Sequence, residues 1–539
     1  MGMETADILI RGATVINGTG QHGFQGDIAV GGGRILAVGD CGRFQAREEI
    51  NAEGLTCAPG FIDAHAHSDT MFAKDSSGAS KLYQGITTEI SGNCGASPFP
   101  KPEGNGNPWR FDSYADFLRA FSERGASMAV NQAMLAGHGS LRESAVGENA
   151  RPASPGEMEC MKDFLRRDLA AGALGLSLGL EYAPGCFAGQ EELNALGAVV
   201  KEAGGIVTCH MRSEGLKIFD AIDELAQVGR FSGAHVHISH LKIDHYTVHG
   251  QAPAVCEHIE KLRQEGIHIT ADVYPYTASA TSLTIRCPRW SMDGGEEALL
   301  GFLAGPRRGE VVEGIRTHYF NAQRAETCLF SDGGGLWPEI VGKTLRFVAE
   351  DMLHTTDYAE AAAVVLERTK ARARGVFFVM SEEDMLYFLS KDVCIGSDGY
   401  ALPDDPVKVG SLPHPRSYGA VAEFLRLARE KNICSLEEAV RRVTSKPADT
   451  FGLKDRGRIS PGMAADLTVF DPAIIAPRAT YLNPVQTAQG VHWVIVNGKI
   501  ALREGRQTEE RVGGFLPRGH FDPSRERREY RVQSTVQMI

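Results

Sequence analysis

The sequence lacks the features of a membrane-spanning or exported protein. No apolar run in its 539 residues reaches the roughly 18–20 residues that a transmembrane helix needs. The first residues are acidic and have no long apolar core, so they do not form a secretory signal. None of the 11 cysteines stands in a CxxC pair. We therefore expect a cytoplasmic protein whose cysteines are reduced thiols and which does not bind membranes.

Positive charge is also in short supply. Lys and Arg total 56 against 68 Asp and Glu, which gives a formal net charge of −12. With this balance we do not expect the protein to bind nucleic acid or an anionic membrane in general. Hydrophobic residues make up 43% and charged residues 23%, as in ordinary folded proteins, and this excludes disorder over most of the chain. The length suits one large domain with a smaller one, and 61 glycines indicate many tight loops rather than a helical bundle.

The middle of the chain alternates between short apolar strands and helical segments. Most of the intervals between successive predicted strand ends are about 26 to 44 residues, the size of a βα unit. Eight such units form a (β/α)8 barrel, and we predict a TIM-like barrel over residues 57–454. The predicted strands end near His67, Asn93, Gly137, Ser177, His210, His240, Asp272 and Asp398.

The two chain ends and one long gap complete the predicted α/β architecture. Residues 1–56 and 455–512 each contain short alternating strands that are too few to bury a core alone, so we predict that they pair into one β-sandwich. Residues 284–344, rich in Gly, Arg and Glu, interrupt the last βα interval and are predicted to be an inserted subdomain that acts as a lid. Residues 513–539 are predicted to form a C-terminal arm.

Histidines and one aspartate stand at the predicted strand ends. His65 and His67 lie two apart, so on a strand they would share a face and reach one metal ion. His210 and His240 end two later strands, and Asp398 ends the last. Because barrel active sites form at the carboxyl ends of the strands, this set predicts a metal site. Imidazole with carboxylate suits zinc best, with iron, cobalt and manganese as alternatives.

Two nearby residues are predicted to face away from that site. Cys209 precedes His210 directly, and strand alternation places their side chains on opposite faces. His237 precedes His240 by three positions, and the same argument predicts that it too points away.

Several longer segments resemble one enzyme family. Gly179-Leu-Glu-Tyr-Ala-Pro-Gly, His210-Met-Arg-Ser-Glu-Gly, Asp272-Val-Tyr-Pro-Tyr and Gly396-Ser-Asp-Gly are similar to segments of the N-acyl-D-amino-acid deacylases, or D-aminoacylases, of the amidohydrolase superfamily. Ser91-Gly-Asn-Cys-Gly matches the same family, and the fourth predicted strand lacks the bridging lysine that many other superfamily members carboxylate. The resemblance runs from about residue 5 to 515 and implies a zinc-dependent hydrolase of the linear amide in N-acyl-D-amino acids.

The resemblance also implies a set of ligands. Cys94, His210 and His240 would hold one tight zinc, and a thiolate at Cys94 would supply the negative charge of the missing lysine. His65 and His67 would form a second, weaker site or stabilise the reacting carbonyl. Asp398 would ligate metal and also accept the proton of the attacking water, returning it to the leaving amine.

A small-molecule substrate of this kind carries a free carboxylate. Arg416 in His414-Pro-Arg-Ser-Tyr-Gly is predicted to bind it, with Lys242, two residues after His240, as the second candidate. Surface ion pairing is the alternative for both cations. Tyr182, Tyr274 and Tyr276 are predicted to line the pocket, with core packing as their alternative.

Two other functions remain open on the sequence alone. A cyclic amide hydrolase of the hydantoinase or dihydroorotase kind would use the same scaffold, although such enzymes usually keep the bridging lysine. A non-catalytic assembly protein would have lost metal ligands, whereas all six predicted positions are filled here. Basic residues within 284–344 favour an acidic D-amino acid as the substrate, but the sequence does not fix the side chain.

Overall fold

The computed structural model describes residues 3–101 and 108–518, and its strands fall into two large groups and one small sheet. The strands are β1 Glu4–Val15, β2 Phe24–Gly31, β3 Arg34–Gly39, β4 Phe44–Asn51, β5 Thr56–Pro59, β6 Phe61–Asp63, β7 Ile86–Ser91, β8 Asn131–Met134, β9 Ala136–Gly137, β10 Gly175–Gly179, β11 Ile206–His210, β12 His235–Ile238, β13 Ile269–Val273, β14 Ser279–Ser282, β15 Cys328–Asp332, β16 Arg374–Phe377, β17 Cys394–Ile395, β18 Leu467–Phe470, β19 Val491–Val496, β20 Lys499–Arg503 and β21 Arg506–Gln507.

The helices separate most of the central strands. They are α1 Ala79–Leu82, α2 Tyr114–Glu123, α3 His138–Ala145, α4 Pro155–Ala170, α5 Gln190–Glu202, α6 Ile218–Ser232, α7 Ala252–Gln264, α8 Gly295–Ala304, α9 Arg308–Arg316, α10 Ala322–Glu326, α11 Leu345–Phe347, α12 Tyr358–Arg368, α13 Glu382–Leu389, α14 Pro406–Val409, α15 Arg416–Glu430, α16 Leu436–Arg442 and α17 Ser445–Phe451. Within the described residues, none of these helices combines the length and apolar character needed to cross a membrane.

The central strands are parallel and form a TIM-barrel-like α/β unit. One sheet has the order β6-β7-β8, and another has the order β17-β13-β12-β11-β10-β9. These strands are short and buried along their length, because helices cover the sheet from outside. Their carboxyl ends therefore meet at one rim, which is where the predicted site residues stand.

The chain ends pair as predicted. Strands from both ends form one sheet of order β21-β20-β19-β18-β5-β1-β2-β3, with β4 parallel to β1. The two ends meet where β18 runs antiparallel to β5, placing Val469 opposite Cys57. One apolar cluster draws on both ends, including Ile10, Val30 and Ile495, because neither end supplies enough apolar side chains by itself.

The inserted segment is longer than the predicted 284–344. Its small antiparallel sheet joins β14, β16 and β15, so the chain enters at Ser279 and returns only at Phe377. A separate apolar core, from Leu283 to Val379, holds this segment together. The predicted range stopped short because the Gly-rich composition marks only part of the subdomain, whereas the strands at its two ends, β14 and β16, contain only one glycine between them.

The start of the predicted C-terminal arm docks along the barrel. Gly513 N donates to Met128 O, Leu516 N to Gln132 O and Arg518 N to Gly172 O. The remainder of the predicted arm, 519–539, lies outside the described residues.

Candidate metal centre and active site

All six predicted metal ligands lie at the carboxyl ends of parallel strands. His65 and His67 follow β6, Cys94 follows β7 and His210 ends β11; His240 and Asp398 follow β12 and β17. This placement brings residues from five separate strands to one point, as expected for a site at the rim of such a barrel.

Three of these residues have backbone in the left-handed region. The φ angles of Cys94, His240 and Asp398 are 53°, 37° and 49°. Non-glycine residues seldom adopt such angles, and where they do the surrounding structure holds them there, often at functional sites. Around Cys94 the chain can turn this tightly because Gly92 lacks a Cβ, which would lie 2.2 Å from Leu135 O.

These turns correct two predictions based on strand alternation. β6 ends at Asp63, so His65 and His67 stand in the loop that follows rather than on one strand face. β12 ends at Ile238, and the left-handed turn at His240 breaks the alternation. The prediction that His237 faces away is therefore wrong: its ring lies 2.9 Å from Asp272, which also accepts the His240 amide. Cys209 does face away, into the outer apolar core.

One group of ligand atoms fits a tetrahedral zinc ion. Cys94 Sγ lies 3.3 Å from His240 Nε2, which lies 3.0 Å from His210 Nδ1. Zinc bonds of 2.3 Å to sulfur and about 2.0 Å to nitrogen place such ligand atoms roughly 3.3–3.6 Å apart. Both contacts to His240 are close to these spacings, whereas Cys94 and His210 do not share a group of ligand atoms within 4.8 Å of one another, so they must move closer together to hold one zinc. Their thiol and imidazole chemistry is the one that zinc prefers.

A second group lies next to the first. His67 Nε2 is 2.9 Å from Asp398 Oδ1, and His65 Nε2 is 3.8 Å from the same oxygen. His65 Nε2 also lies 3.4 Å from Cys94 Sγ. Ligand atoms of His65, Cys94, His240 and Asp398 all fall within 4.8 Å of one another. This geometry suits a second cation that shares the thiolate with the first.

Carboxylates behind the imidazoles orient three of the rings. Glu181 Oε2 is 2.9 Å from His210 Nε2. Glu214 Oε1 lies 2.9 Å from His240 Nδ1 without hydrogen-bond geometry, and Lys242 Nζ lies 2.8 Å from the same nitrogen. Asp272 Oδ2 lies 3.4 Å from His65 Nδ1. A ring that donates one N–H to a carboxylate turns its other nitrogen toward the metal.

The electrostatics of the site favour metal binding. Burial lowers the pKa of His210 to about 4 and that of His240 well below its ordinary value, so both rings are neutral and able to ligate. Burial acts to raise the pKa of Asp398, but Arg416, His240 and His67 outweigh it and hold the carboxyl ionised. Burial and Asp398 raise the pKa of Cys94 well above its usual range, so its thiolate requires a cation beside it.

A polar cavity opens over this centre. Its wall includes Cys94, His210, His240 and Asp398, together with the two predicted cations Lys242 and Arg416. The inserted segment supplies part of the wall through Thr281, Arg286 and Arg374.

The two predicted carboxylate-binding cations are held differently. Arg416 is 3% exposed, and its Nη1 lies 2.8 Å from Asp398 Oδ2. That contact lacks hydrogen-bond geometry, so Nε and Nη1 of Arg416 have no acceptor among the described residues. Lys242 is 4% exposed and is paired with Glu214 at 2.5 Å. Surface ion pairing, the alternative for both residues, is therefore wrong.

The tyrosines divide between the cavity and the core. Tyr182 lines the cavity, with its hydroxyl 3.1 Å from Thr281 Oγ1. Tyr274 is not among the lining residues; it is 2% exposed, and its ring packs 4.8 Å from the Arg416 guanidinium. Tyr276 packs edge-on against His414. Tyr274 thus supports the Arg416 guanidinium, and its direct contact with substrate stays a prediction.

Sequence reasoning did not find the carboxylates that orient the rings or the cation of the inserted segment. Glu181 stands next to Tyr182, and Glu214 stands four residues after His210, so both lie within segments already singled out for their resemblance. Asp272 was predicted to stand at a strand end, with no role in orienting His65. Arg286 is one of many basic residues in the inserted segment, and no pattern in the sequence distinguishes it from the others.

Comparison with known proteins agrees with this geometry. A family model described as "Amidohydrolase family" matches residues 48–303 and 393–502. An N-acyl-D-glutamate deacylase from Alcaligenes xylosoxydans xylosoxydans is 33% identical over 506 residues, covering 92% of this chain and 93% of the relative. A D-aminoacylase from the same organism is 33% identical over 95% of this chain and 98% of its own length.

A solved structure extends the similarity to three dimensions. The N-acyl-D-glutamate deacylase of Bordetella bronchiseptica, crystallised with zinc and a phosphonate inhibitor that mimics the tetrahedral intermediate, superposes with a TM-score of 0.81 at 30% identity. The match covers 96% of this chain and 100% of that one, and it supports a TIM-barrel-like fold with an additional β-sandwich. The chain belongs to the N-acyl-D-amino-acid deacylase (D-aminoacylase) family of the amidohydrolase superfamily.

Proposed function

We propose that this chain is a zinc-dependent hydrolase that splits the amide bond of N-acyl-D-amino acids into a carboxylate and a free D-amino acid. The observation that carries the proposal is one cavity in which three zinc-type ligand atoms, an ionised Asp398 and the unpaired donors of Arg416 converge. The deacylases that resemble the chain over more than nine-tenths of its length support the same chemistry.

Cys94, His210 and His240 are the proposed ligands of a tight zinc, and His65, His67 and Asp398 those of a second, weaker one. Bound zinc would polarise the amide carbonyl and lower the pKa of water. Glu181 and Glu214 keep the two rings of the tight site turned toward it. Cys94, His210 and His240 also line the cavity, so substrate would reach a zinc held by them.

Asp398 is the proposed general base. Its carboxylate faces the cavity, and His67 and Arg416 hold it from two sides at 2.9 and 2.8 Å. In this role it takes a proton from the attacking water and gives it to the amide nitrogen as the C–N bond breaks. The second proton of the water leaves with the new carboxylic acid and passes to the released amine, so the products are a carboxylate and an ammonium group.

The substrate α-carboxylate is proposed to bind Arg416, with Lys242 as a further contact. Both cations line the cavity within the same polar wall as Asp398. Arg416 has buried N–H groups at Nε and Nη1 without hydrogen-bond acceptors, and a substrate carboxylate would supply a charged acceptor for the guanidinium.

We further propose that Arg286 selects an acidic D-side chain. It lines the cavity on the inserted segment, and no carboxylate of the described residues lies within 4.0 Å of its guanidinium, which packs over the Phe377 ring at 4.7 Å. Replacement by Met should lower kcat/KM for N-acetyl-D-glutamate at least 10-fold and leave N-acetyl-D-methionine within 3-fold, on the scale of one charged hydrogen bond. Equal losses on both substrates would contradict this assignment.

We also propose how the two parallel sheets are connected and what the inserted segment does. The backbone bonds Ala64 N to Ile395 O and Leu174 N to Met134 O join the two parallel sheets and favour a closed (β/α)8 barrel. Because the inserted segment walls the cavity, we propose that it acts as a lid that excludes water from bound substrate.

A panel of N-acetyl amino acids tests the function. It should contain the D and L forms of Glu, Asp, Met and Leu, together with hydantoin as a cyclic amide. We expect release of free D-amino acids, with the acidic ones fastest. Opening of hydantoin without release of a free D-amino acid would favour a cyclic amide hydrolase instead. The structure argues against that alternative, because β10, Gly175–Gly179, has no bridging lysine.

A further inference from the structure

A continuous chain of hydrogen-bonding groups runs through the barrel interior below the metal centre. His235 Nε2 lies 2.8 Å from Thr270 Oγ1, which lies 2.7 Å from His237 Nδ1. His237 Nε2 lies 2.9 Å from Asp272 Oδ2, and the same oxygen lies 3.4 Å from His65 Nδ1. Apart from His65, no member of this chain has a role in the proposed reaction.

Asp272 lies between the two rings, and its Oδ2 is within reach of both His237 Nε2 and His65 Nδ1. A carboxylate only accepts hydrogen bonds, so in this arrangement the two ring nitrogens are the donors. The Thr270 hydroxyl lies between the other nitrogen of His237 and the ring of His235.

Asp272 also reaches the other half of the centre. Its second oxygen, Oδ1, accepts the backbone N–H of His240 at 2.8 Å, at the residue with φ 37°. One carboxylate thus fixes the ring of His65 and the main-chain turn of His240, and His237 is the side chain that holds that carboxylate from below. His237 is fully buried, and Phe451 packs edge-on against its ring at 5.3 Å.

We propose that His237 is a positioning residue that acts through Asp272 to keep His65 Nε2 turned toward the metal centre. In that orientation Nε2 faces Cys94 Sγ at 3.4 Å and Asp398 Oδ1 at 3.8 Å. If Asp272 lost its donor from His237, only the long 3.4 Å contact with His65 would hold its Oδ2, and the His65 ring would lose its fixed orientation. This inference rests on the proposed metal centre but concerns only its second, weaker site.

Two variants that differ by one methylene test the inference. In His237→Gln the amide nitrogen stands where Nε2 stood and can donate to Asp272, whereas His237→Asn is too short to reach it. Metal-free protein would be loaded with one equivalent of zinc and then titrated with more zinc against a chelating dye. His67→Ala provides the reference for a lost second site.

We expect wild type and His237→Gln to bind the second zinc within 3-fold of each other, and His237→Asn to bind it about 10- to 100-fold more weakly, the usual effect of removing such a partner. The first zinc should bind within 3-fold of wild type in both variants, because Asp272 Oδ1 keeps its bond to the His240 amide. If His237→Asn does not fold, Thr270→Val, which removes one hydroxyl, should weaken the second zinc in the same direction.

Three results would overturn the inference: equal affinities in all variants, equal losses in Gln and Asn, or a wild type that takes up only one zinc. Each differs from failure of the proposed function, in which wild-type protein binds no zinc or releases no D-amino acid.

Discussion

Removal of the Arg416 guanidinium should show whether the cavity binds the carboxylate of the substrate through this residue. The residue is 3% exposed, and its Nε and Nη1 have no acceptor in the described part of the chain. A charge-assisted hydrogen bond contributes about 1.5–3 kcal/mol, or roughly 10- to 150-fold in binding. We therefore expect Arg416→Ala to lower kcat/KM for an N-acetyl-D-amino acid at least 10-fold.

The same substitution has a second effect that must be separated from the first. Arg416 lies 2.8 Å from Asp398, and its charge helps to keep the pKa of that carboxyl low. Loss of the guanidinium therefore raises the pKa of Asp398 and changes turnover of every substrate. Only a ratio between two substrates isolates the contact with the carboxylate.

The assay compares N-acetyl-D-methionine with its C-terminal amide in wild type, Arg416→Ala and Arg416→Lys. The two substrates differ only in the charged end group, so the acid-to-amide ratio of kcat/KM reports the contact. We expect the ratio to fall at least 10-fold in Arg416→Ala and by less in Arg416→Lys, which keeps the charge but loses the fork of two parallel donors.

Lys242→Ala serves as the matched comparison, because Lys242 already has Glu214 at 2.5 Å and should contribute less. If neither Arg416→Ala nor Lys242→Ala changes the ratio, neither cation reads the carboxylate, and a cyclic amide becomes the better substrate.

Three further predictions follow from the site. Cys94→Ala should lose the tight zinc, because two imidazoles alone coordinate it poorly; full zinc occupancy by elemental analysis would show that the cysteine is not a ligand. Asp398→Asn should keep the fold and the tight zinc and lose turnover about 100-fold or more, the scale of general acid–base catalysis, and a near-normal kcat would exclude that role. Hydrogen exchange across Ser279–Phe377 should slow when the reaction product binds; unchanged protection would argue against a lid.

The sequence was most informative where a histidine or an aspartate follows an apolar strand. His210 and Asp398 stand directly at or after such strands, and this position indicated the metal site once the spacing of the strands had indicated a barrel-like fold. The pairing of the chain ends was likewise predictable, since neither end had strands enough for a core. Cys94 was found only through the resemblance of its segment, because a lone cysteine carries no spacing signal.

The rest depended on backbone turns and long-range contacts. Strand alternation predicts a side chain's direction only while the strand continues, and His240 stands beyond the end of its strand with φ 37°. His237 was misplaced for that reason. Glu181 and Glu214 lie on loops and reach their histidines only in the folded chain, so no local pattern marks them.

Zinc titration of the metal-free enzyme tests the central claim most directly. Release of free amino acid from N-acetyl-D-glutamate would be followed as zinc is added in fractions of an equivalent, with Cys94→Ala as the matched control. We predict no turnover without metal, a linear rise to a maximum at one zinc per chain, and no rise in Cys94→Ala. Full turnover in the metal-free wild type, or equal activation of Cys94→Ala, would contradict a zinc-dependent deacylase centred on Cys94.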